Sequence, residues 1–292
     1  MRNGGIILVT GAGGQLGTEL RHLTKRRKGF LFTDAVPVEG AEVLDICDPA
    51  AVDRFFAAHS VSAVINCAAY TNVDGAESDV ERCRAVNVGG VRNLASAAKH
   101  SNAVLIHIST DYVFDGKRRR GAYREDSPCH PESVYGRTKR EAELLIRRSK
   151  VRGIIIRTAW LYSPFGKNFV KTMLRLGAER PEVRVVADQI GTPTYAKDLA
   201  KAILKALPKA GGFKGELFHY TDEGACSWFD FAAATMVFAG LGCKVKPVST
   251  SEYPTPAKRP AYSLLDKSKI RDTFGVDTPW WSVSLQDCLR RL

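Results

Sequence analysis

The stretch Ile6 to Gly17, IILVTGAGGQLG, decides the fold. Ile6 to Thr10 is a short β-branched and apolar run, the composition of a buried strand. Gly11, Gly14 and Gly17 follow at once with G-x-x-G-x-x-G spacing, and Leu16, Leu20 and Leu23 then share one helical face at i, i+4 and i+7. Such glycines permit a tight turn, let a pyrophosphate approach the backbone at a helix N-terminus, and let the helix pack on the sheet. A glycine-rich turn alone is an ordinary strand-to-helix connection. Here strand, glycines and helix occur in the order of a dinucleotide-binding βαβ unit, so a doubly wound parallel α/β sheet of the Rossmann type is expected.

The next strand, Phe30 to Thr33, ends in Asp34, about twenty residues beyond the glycine motif, where such folds place the carboxylate that binds the adenosine ribose hydroxyls. An Asp there favours NADH, because it repels a 2′-phosphate. Lys25, Arg26, Arg27 and Lys28 just upstream either offset that repulsion or form a solvated helix end, so NADPH stays open.

Further along, Ser62 to Cys67 (SAVINC), Val104 to Ile108 and Ile154 to Thr158 read as buried strands. Asp48-Pro49 starts a helix with Val52, Phe55 and Phe56 on its apolar face, and a longer amphipathic helix is expected from about Val80 to Lys99. Asn87 inside it is either surface polar or a brace for the neighbouring loop. Ala68 and Ala69 after the SAVINC strand are small enough for a flat cofactor to lie on the backbone, or simply make a tight turn. Beyond about Phe165 the simple alternation of strand and helix breaks down. Residues 1–165 are therefore expected to form the dinucleotide-binding domain, with return elements at about 187–207. Residues 166–186 and 208–292, with a glycine-rich junction at Phe213 to Gly215, are expected to form a smaller substrate lobe.

The chemistry concentrates at STDYVFDG, Ser109 to Gly116, and YGRTK, Tyr135 to Lys139. The first stands where a parallel strand ends, the edge at which ligands of open α/β sheets bind. In the second, Tyr135 and Lys139 sit at i and i+4 on one helical face. An ammonium beside a phenol lowers its pKa from about 10 toward working pH, and such a tyrosine can exchange a proton with a carbonyl or alcohol oxygen.

The totals restrict the alternatives. Across 292 residues no apolar run approaches the roughly 18 needed to cross a membrane, and Met1 leads straight into the first strand without a signal peptide's apolar region. A soluble cytoplasmic protein is expected. The seven cysteines stand singly with no CxxC pair and no zinc spacing, so neither a metal site nor a disulfide framework is expected. The net charge of +12 raises the question of nucleic acid, but short runs such as Arg118 to Arg120 come without a helix-turn-helix, finger or aromatic RNA-binding signature. An anionic small molecule is the expected partner.

Taken together, GAGGQLG, NCAAYTNVDGAE, STDYVFDG, YGRTK, RTAWLYS, DQIGTPT and YPTPAKRPAYSLLD resemble the extended short-chain dehydrogenase/reductases, and among them the dTDP-4-dehydrorhamnose reductase family, over essentially the whole chain. The resemblance implies reduction of a dTDP-4-dehydro sugar by NADH or NADPH. It puts Gly14, Gln15 and Leu16 on the pyrophosphate, Asp34 on the ribose, Asp45 and Ile46 by the adenine, and Ala68, Ala69 and Tyr70 along the cofactor. Tyr135 is implied as general acid, Lys139 as holder of the nicotinamide ribose, and Thr110 as hydrogen-bond partner of the reacting oxygen; Thr110, Asp111 and Trp160 match sugar positions. Cys67 and Tyr70 stand where relatives often carry Ala and His. Some relatives form metal-bridged dimers, so a homodimer stays open, while no acidic cluster here demands Mg2+. Two other classes share the scaffold: a non-catalytic subunit like the regulatory subunit of methionine adenosyltransferase, and a 4-epimerase or 4,6-dehydratase. Tyr112, where a dehydratase is expected to carry Glu after Asp111, disfavours the last.

Overall fold

A computed structural model describes residues 5–118 and 120–292; Met1 and Arg119, a member of the basic run noted above, lie outside the described residues. In chain order, β1 (Ile6–Thr10), α1 (Gln15–Thr24), β2 (Phe30–Asp34), β3 (Glu42–Val43), α2 (Pro49–Ala58) and β4 (Val61–Asn66) form the first half of the sheet. Asp48 caps α2 by accepting from the N–H groups of Ala50 and Ala51, with Pro49 at the first helical position. α3 (Val80–Arg84) runs through a π-helical turn, Ala85–Gly90, into α4 (Val91–His100). The single amphipathic helix expected here is thus interrupted at Asn87. Its carboxamide explains the wider turn: Oδ1 accepts from Tyr70 N at 2.9 Å and Nδ2 reaches Thr138 Oγ1 at 3.2 Å, so Asn87 braces the loop after β4.

β5 (Val104–Thr110), α5 (Val134–Ser149), β6 (Gly153–Thr158) and β7 (Leu161–Tyr162) follow. α6 (Phe169–Glu179), β8 (Glu182–Val186), β9 (Ile190–Gly191), β10 (Thr194–Tyr195), α7 (Ala196–Ala210), β11 (Lys214–His219), β12 (Cys226–Ser227), α8 (Trp228–Phe238), β13 (Lys244–Val248), α9 (Ser268–Phe274) and α10 (Trp281–Leu289) complete the described elements.

The main sheet has the order β11-β6-β5-β4-β1-β2-β3, with every pairing parallel. Leu16, Leu20, Leu199, Ile203 and Phe218 pack on one face, Val52, Val91, Leu94, Ala142 and Ile146 on the other. Burial on both faces is why β4, β5 and β6 read as near-continuous apolar runs. Strand order reverses between β1 and β4, which opens a crevice at the carboxyl ends of these strands.

The sheet extends further along the chain than the boundary at 208 implied. β11 pairs with β6 through Leu217↔Ile155 and Phe218↔Ile156, so part of the expected lobe is the sheet's edge strand. Its exposed Lys214 and Glu216 and the left-handed Gly215 mask the strand pattern that Leu217 and Phe218 complete. The rest of the C-terminal half builds three two-stranded pairs, β7/β10, β9/β12 and β8/β13, around Tyr162, Val170, Phe231, Trp281 and Leu285. Among the described residues no helix is long and apolar enough to cross a membrane.

Candidate active site

A cleft of about 730 Å³ lies along the switch point. Its wall contains every residue that the resemblance or the glycine motif assigned to the cofactor, the sugar or the proton transfer: Gly11, Gly14, Gln15, Leu16, Gly17, Asp34, Asp45, Ile46, Ala68, Ala69, Tyr70, Thr110, Asp111, Tyr135, Lys139 and Trp160.

On the cofactor side, a Cβ at Gly17 would stand 2.1 Å from the Gly11 carbonyl oxygen, so only glycine lets α1 press against the turn. Gly14 is the N-cap of α1 and makes no side-chain cap bond, which leaves the N–H groups of the first turn for a ligand. Asp34 closes β2, with Oδ2 accepting from Gly13 N at 2.9 Å. Lys25 to Lys28 are exposed at the other end of α1, about 15 Å from that terminus. They form a solvated helix end. Gln15 also ties the glycine loop to the lobe: Oε1 accepts from Ser163 Oγ at 3.2 Å and Asn168 Nδ2 at 3.1 Å, while Nε2 donates to Leu161 O.

On the reactive side, β5 delivers Thr110. Its hydroxyl donates to Asp111 Oδ1 at 3.1 Å and accepts from Tyr112 N at 3.2 Å, capping the short turn Asp111–Val113. Asp111 is buried; desolvation raises its carboxyl to about 6 against the hydrogen bonds of Ser263 and Thr110, and Oδ2 has no hydrogen-bond partner. Ser133 caps α5 through Gly136 N, which starts the helix one residue before Tyr135 and turns Tyr135 and Lys139 inward together.

Lys139 is buried, and its Nζ donates to Ile108 O at 2.6 Å and lies 3.2 Å from His107 Nε2. Burial lowers the ammonium to about 8, with the Glu143 charge opposing that shift. Tyr135 departs from expectation. Desolvation raises its phenol above the ordinary tyrosine range, and the Thr110 hydroxyl offsets part of the rise. The lysine's bonds go to Ile108 and His107 instead. The phenol is thus raised where the Tyr135–Lys139 spacing predicts it lowered.

Trp160 borders the lobe in the left-handed region at φ 49° and stacks on Trp228 with ring centroids 3.6 Å apart. Three contributors were missed in the sequence. Trp228 is one, and its helix gives no periodicity that would single it out. Arg259 is another: it clamps Asp74 at 2.7 Å and so ties the proline-rich loop to the loop after β4. His107 is the third, and the signal was present as one polar residue inside the apolar run VLIHI. Among the described residues no group of three or more His, Cys, Asp or Glu is placed to hold a metal ion, and the cysteines are all free.

Comparison with known proteins agrees with this geometry. The family model described as "RmlD substrate binding domain" matches residues 5–292. A dTDP-4-dehydrorhamnose reductase of Aggregatibacter actinomycetemcomitans is 40% identical over 291 residues, covering 96% of this chain and 97% of the relative. The crystal structure of a dTDP-4-dehydrorhamnose reductase from Clostridium acetobutylicum superposes with a TM-score of 0.90 at 40% identity, covering 98% of each chain. That of the Bacillus anthracis dTDP-4-dehydrorhamnose reductase in complex with NADP gives 0.91 at 37% identity, covering 99% of each. With a family match over residues 5–292 and relatives about 40% identical over nearly their whole length, the chain belongs to the dTDP-4-dehydrorhamnose reductase family.

Proposed function

We propose that the protein reduces the C4 ketone of dTDP-4-dehydro-L-rhamnose to dTDP-L-rhamnose, using NADH or NADPH. One observation carries the reading: Thr110, Tyr135 and Lys139 converge in the same cleft as the uncapped N-terminus of α1. The residues fit a dinucleotide. The open first turn of α1 suits a pyrophosphate, Asp34 suits ribose hydroxyls, and Ala68 and Ala69 leave room along the backbone. A reduced nicotinamide supplies the hydride. Tyr135 donates the proton that the new C4 oxygen needs, which its raised phenol pKa allows because the group stays protonated until that oxygen develops basicity. Thr110 holds the same oxygen by its hydroxyl. Lys139 keeps a cation beside the site, with N–H capacity beyond its two protein partners directed at the cleft. The lobe, without β11, supplies the walls that choose the sugar.

Retention of the full trio favours catalysis over the regulatory-subunit alternative. The direct assay follows loss of nicotinamide absorbance with dTDP-4-dehydro-L-rhamnose and each cofactor in turn. Asp34, whose carboxylate repels a 2′-phosphate, leads us to expect the higher kcat/KM with NADH. In the same assay Tyr135→Phe should keep cofactor binding and lose roughly 10² to 10⁴-fold in turnover. Turnover close to wild type in that variant would remove Tyr135 as the acid.

A further inference from the structure

A line of buried polar side chains crosses the sheet edge behind the cleft, and the reaction scheme above leaves most of it unused. Thr10 and Asn66 close the neighbouring strands β1 and β4, and His107 lies in the middle of β5, with Thr10 in register with Asn66 and Asn66 with His107. All three are at most 1% exposed. Their side chains meet in sequence: Thr10 Oγ1 donates to Asn66 Oδ1 at 2.7 Å, Asn66 Nδ2 lies 3.0 Å from His107 Nδ1, and His107 Nε2 lies 3.2 Å from Lys139 Nζ; the balance of donors and acceptors calls for the Asn66 carboxamide turned by half a turn from this arrangement. A histidine in this position is costly to bury unless both ring nitrogens are satisfied.

The donor and acceptor inventory assigns the roles. A lysine ammonium only donates, so His107 Nε2 must accept. A neutral imidazole accepting at Nε2 carries its proton on Nδ1 and must donate there, which selects the half-turn of Asn66 that presents its oxygen to His107 and its amide to Thr10. His107 is kept neutral by burial and by the adjacent Lys139 charge. Ile108 O takes a second N–H of Lys139. Two fixed acceptors define the direction of the third N–H, toward the cleft that Lys139 lines.

We propose that His107, locked as the Nδ1–H tautomer by Asn66 and Thr10, is a positioning residue that accepts a hydrogen bond from the Lys139 ammonium and aims its remaining N–H at the reacting groups. The inference rests on the reading of Lys139 as the cation of the reductase site. A neutral acceptor suits this place better than a carboxylate, which would hold Lys139 in a tight ion pair turned away from the cleft. The other titratable groups facing Lys139 are Glu143, already bound by Arg157 and Arg140, and the thiols of Cys67 and Cys83.

The test compares His107→Leu, which removes the acceptor, with His107→Gln, whose Oε1 can still accept. In His107→Leu, kcat should fall about tenfold or more, and the alkaline limb of the kcat–pH profile should move to lower pH, because the ammonium has lost a stabilising partner. His107→Gln should restore most of kcat and return the limb to its wild-type position. A folded His107→Leu enzyme with wild-type kcat and an unmoved limb overturns the inference, and so does equal loss in both variants without movement of the limb. A second measurement needs no variant: long-range 1H–15N NMR of the wild-type protein at pH 7 should show His107 protonated on Nδ1, and an Nε2–H ring overturns it. Lys139→Met separates the two layers. Should that variant keep turnover, the role given to Lys139 falls and takes the inference with it; should it be inactive while His107→Leu behaves as wild type, the inference falls alone.

Discussion

Asp222 shows what burial does to a single side chain when only half of it is satisfied. It is fully buried, its Oδ2 accepts from Tyr195 N at 3.0 Å, and its Oδ1 has no hydrogen-bond partner. Desolvation, reinforced by the charge of Asp198, pushes its carboxyl well above the ordinary aspartate range. Asp111 moves the same way, to about 6. A carboxyl whose folded pKa lies above its unfolded value of about 3.9 favours the fold fully below that value, and the contribution is lost as pH rises through the folded pKa. These two groups therefore weaken the fold between mildly acidic and neutral pH. Asp222→Asn keeps an acceptor for Tyr195 N and cannot ionise, so its thermal midpoint relative to wild type should rise as pH goes from 5 to 8. A difference that stays flat across that range would show that Asp222 does not titrate as its surroundings require.

At the scale of the element, α5 carries Tyr135 and Lys139, the proposed acid and cation, and its placement depends on contacts with the strand-end turn. Gly136, directly after Tyr135, lies so close to Tyr112 that an added Cβ would meet the Tyr112 carbonyl oxygen at 2.2 Å. Tyr112 and Tyr135 pack edge to face at 5.6 Å across the same contact. Gly136→Ala must push α5 off the turn, and Tyr135 shifts relative to Thr110. The expected outcome in steady-state kinetics is a loss of about 10²-fold in kcat, of the size that a misplacement near 1 Å produces, with the cofactor Kd changed far less. An unchanged kcat would mean that the turn yields without moving the tyrosine. One turn beyond Lys139 on α5, Glu143 is clamped by Arg157 at 2.7 Å, both fully buried, and accepts from Ser109 Oγ at 2.7 Å. The same ion pair thus fastens α5 to β5 and β6 behind the catalytic face. Such a pair adds little net stability over an apolar one, but removing one partner leaves a buried charge and costs about 3–5 kcal/mol.

Across the whole molecule, side-chain ties join the sheet domain to the lobe: Gln15 with Asn168 and Ser163, Asp74 with Arg259, and Glu19 with Arg291 at 2.8 Å. They link the glycine loop, the strand-end loop and α1 to the part of the chain that closes the cleft. The net charge of +12 acts on the same scale. Both expected ligands carry a pyrophosphate, and a positive field raises the encounter rate of anions in a salt-dependent way. The kcat/KM for the sugar nucleotide should fall as NaCl is raised from low to physiological ionic strength, while kcat at saturation changes little. A salt-independent kcat/KM would mean that the surface charge has no part in capture.

The sequence by itself determined the Rossmann sheet, because a strand, spaced glycines and an apolar helical face are each local patterns with few alternative uses. It also brought Thr110, Tyr135 and Lys139 into one hypothesis, since Tyr135 and Lys139 are one helical turn apart and Thr110 ends a strand. The tertiary structure alone decided what touches them. Lys139 bonds to Ile108 and His107, partners 31 and 32 residues away in the chain, and burial raises the Tyr135 phenol. The same holds for β11, whose few apolar residues become a strand only because β6 offers an open edge. It holds too for the aromatic stack of Trp160 on Trp228, which no local periodicity encodes. Propensity and spacing act within a few residues, whereas desolvation and hydrogen-bond partnership depend on which distant groups the fold packs together.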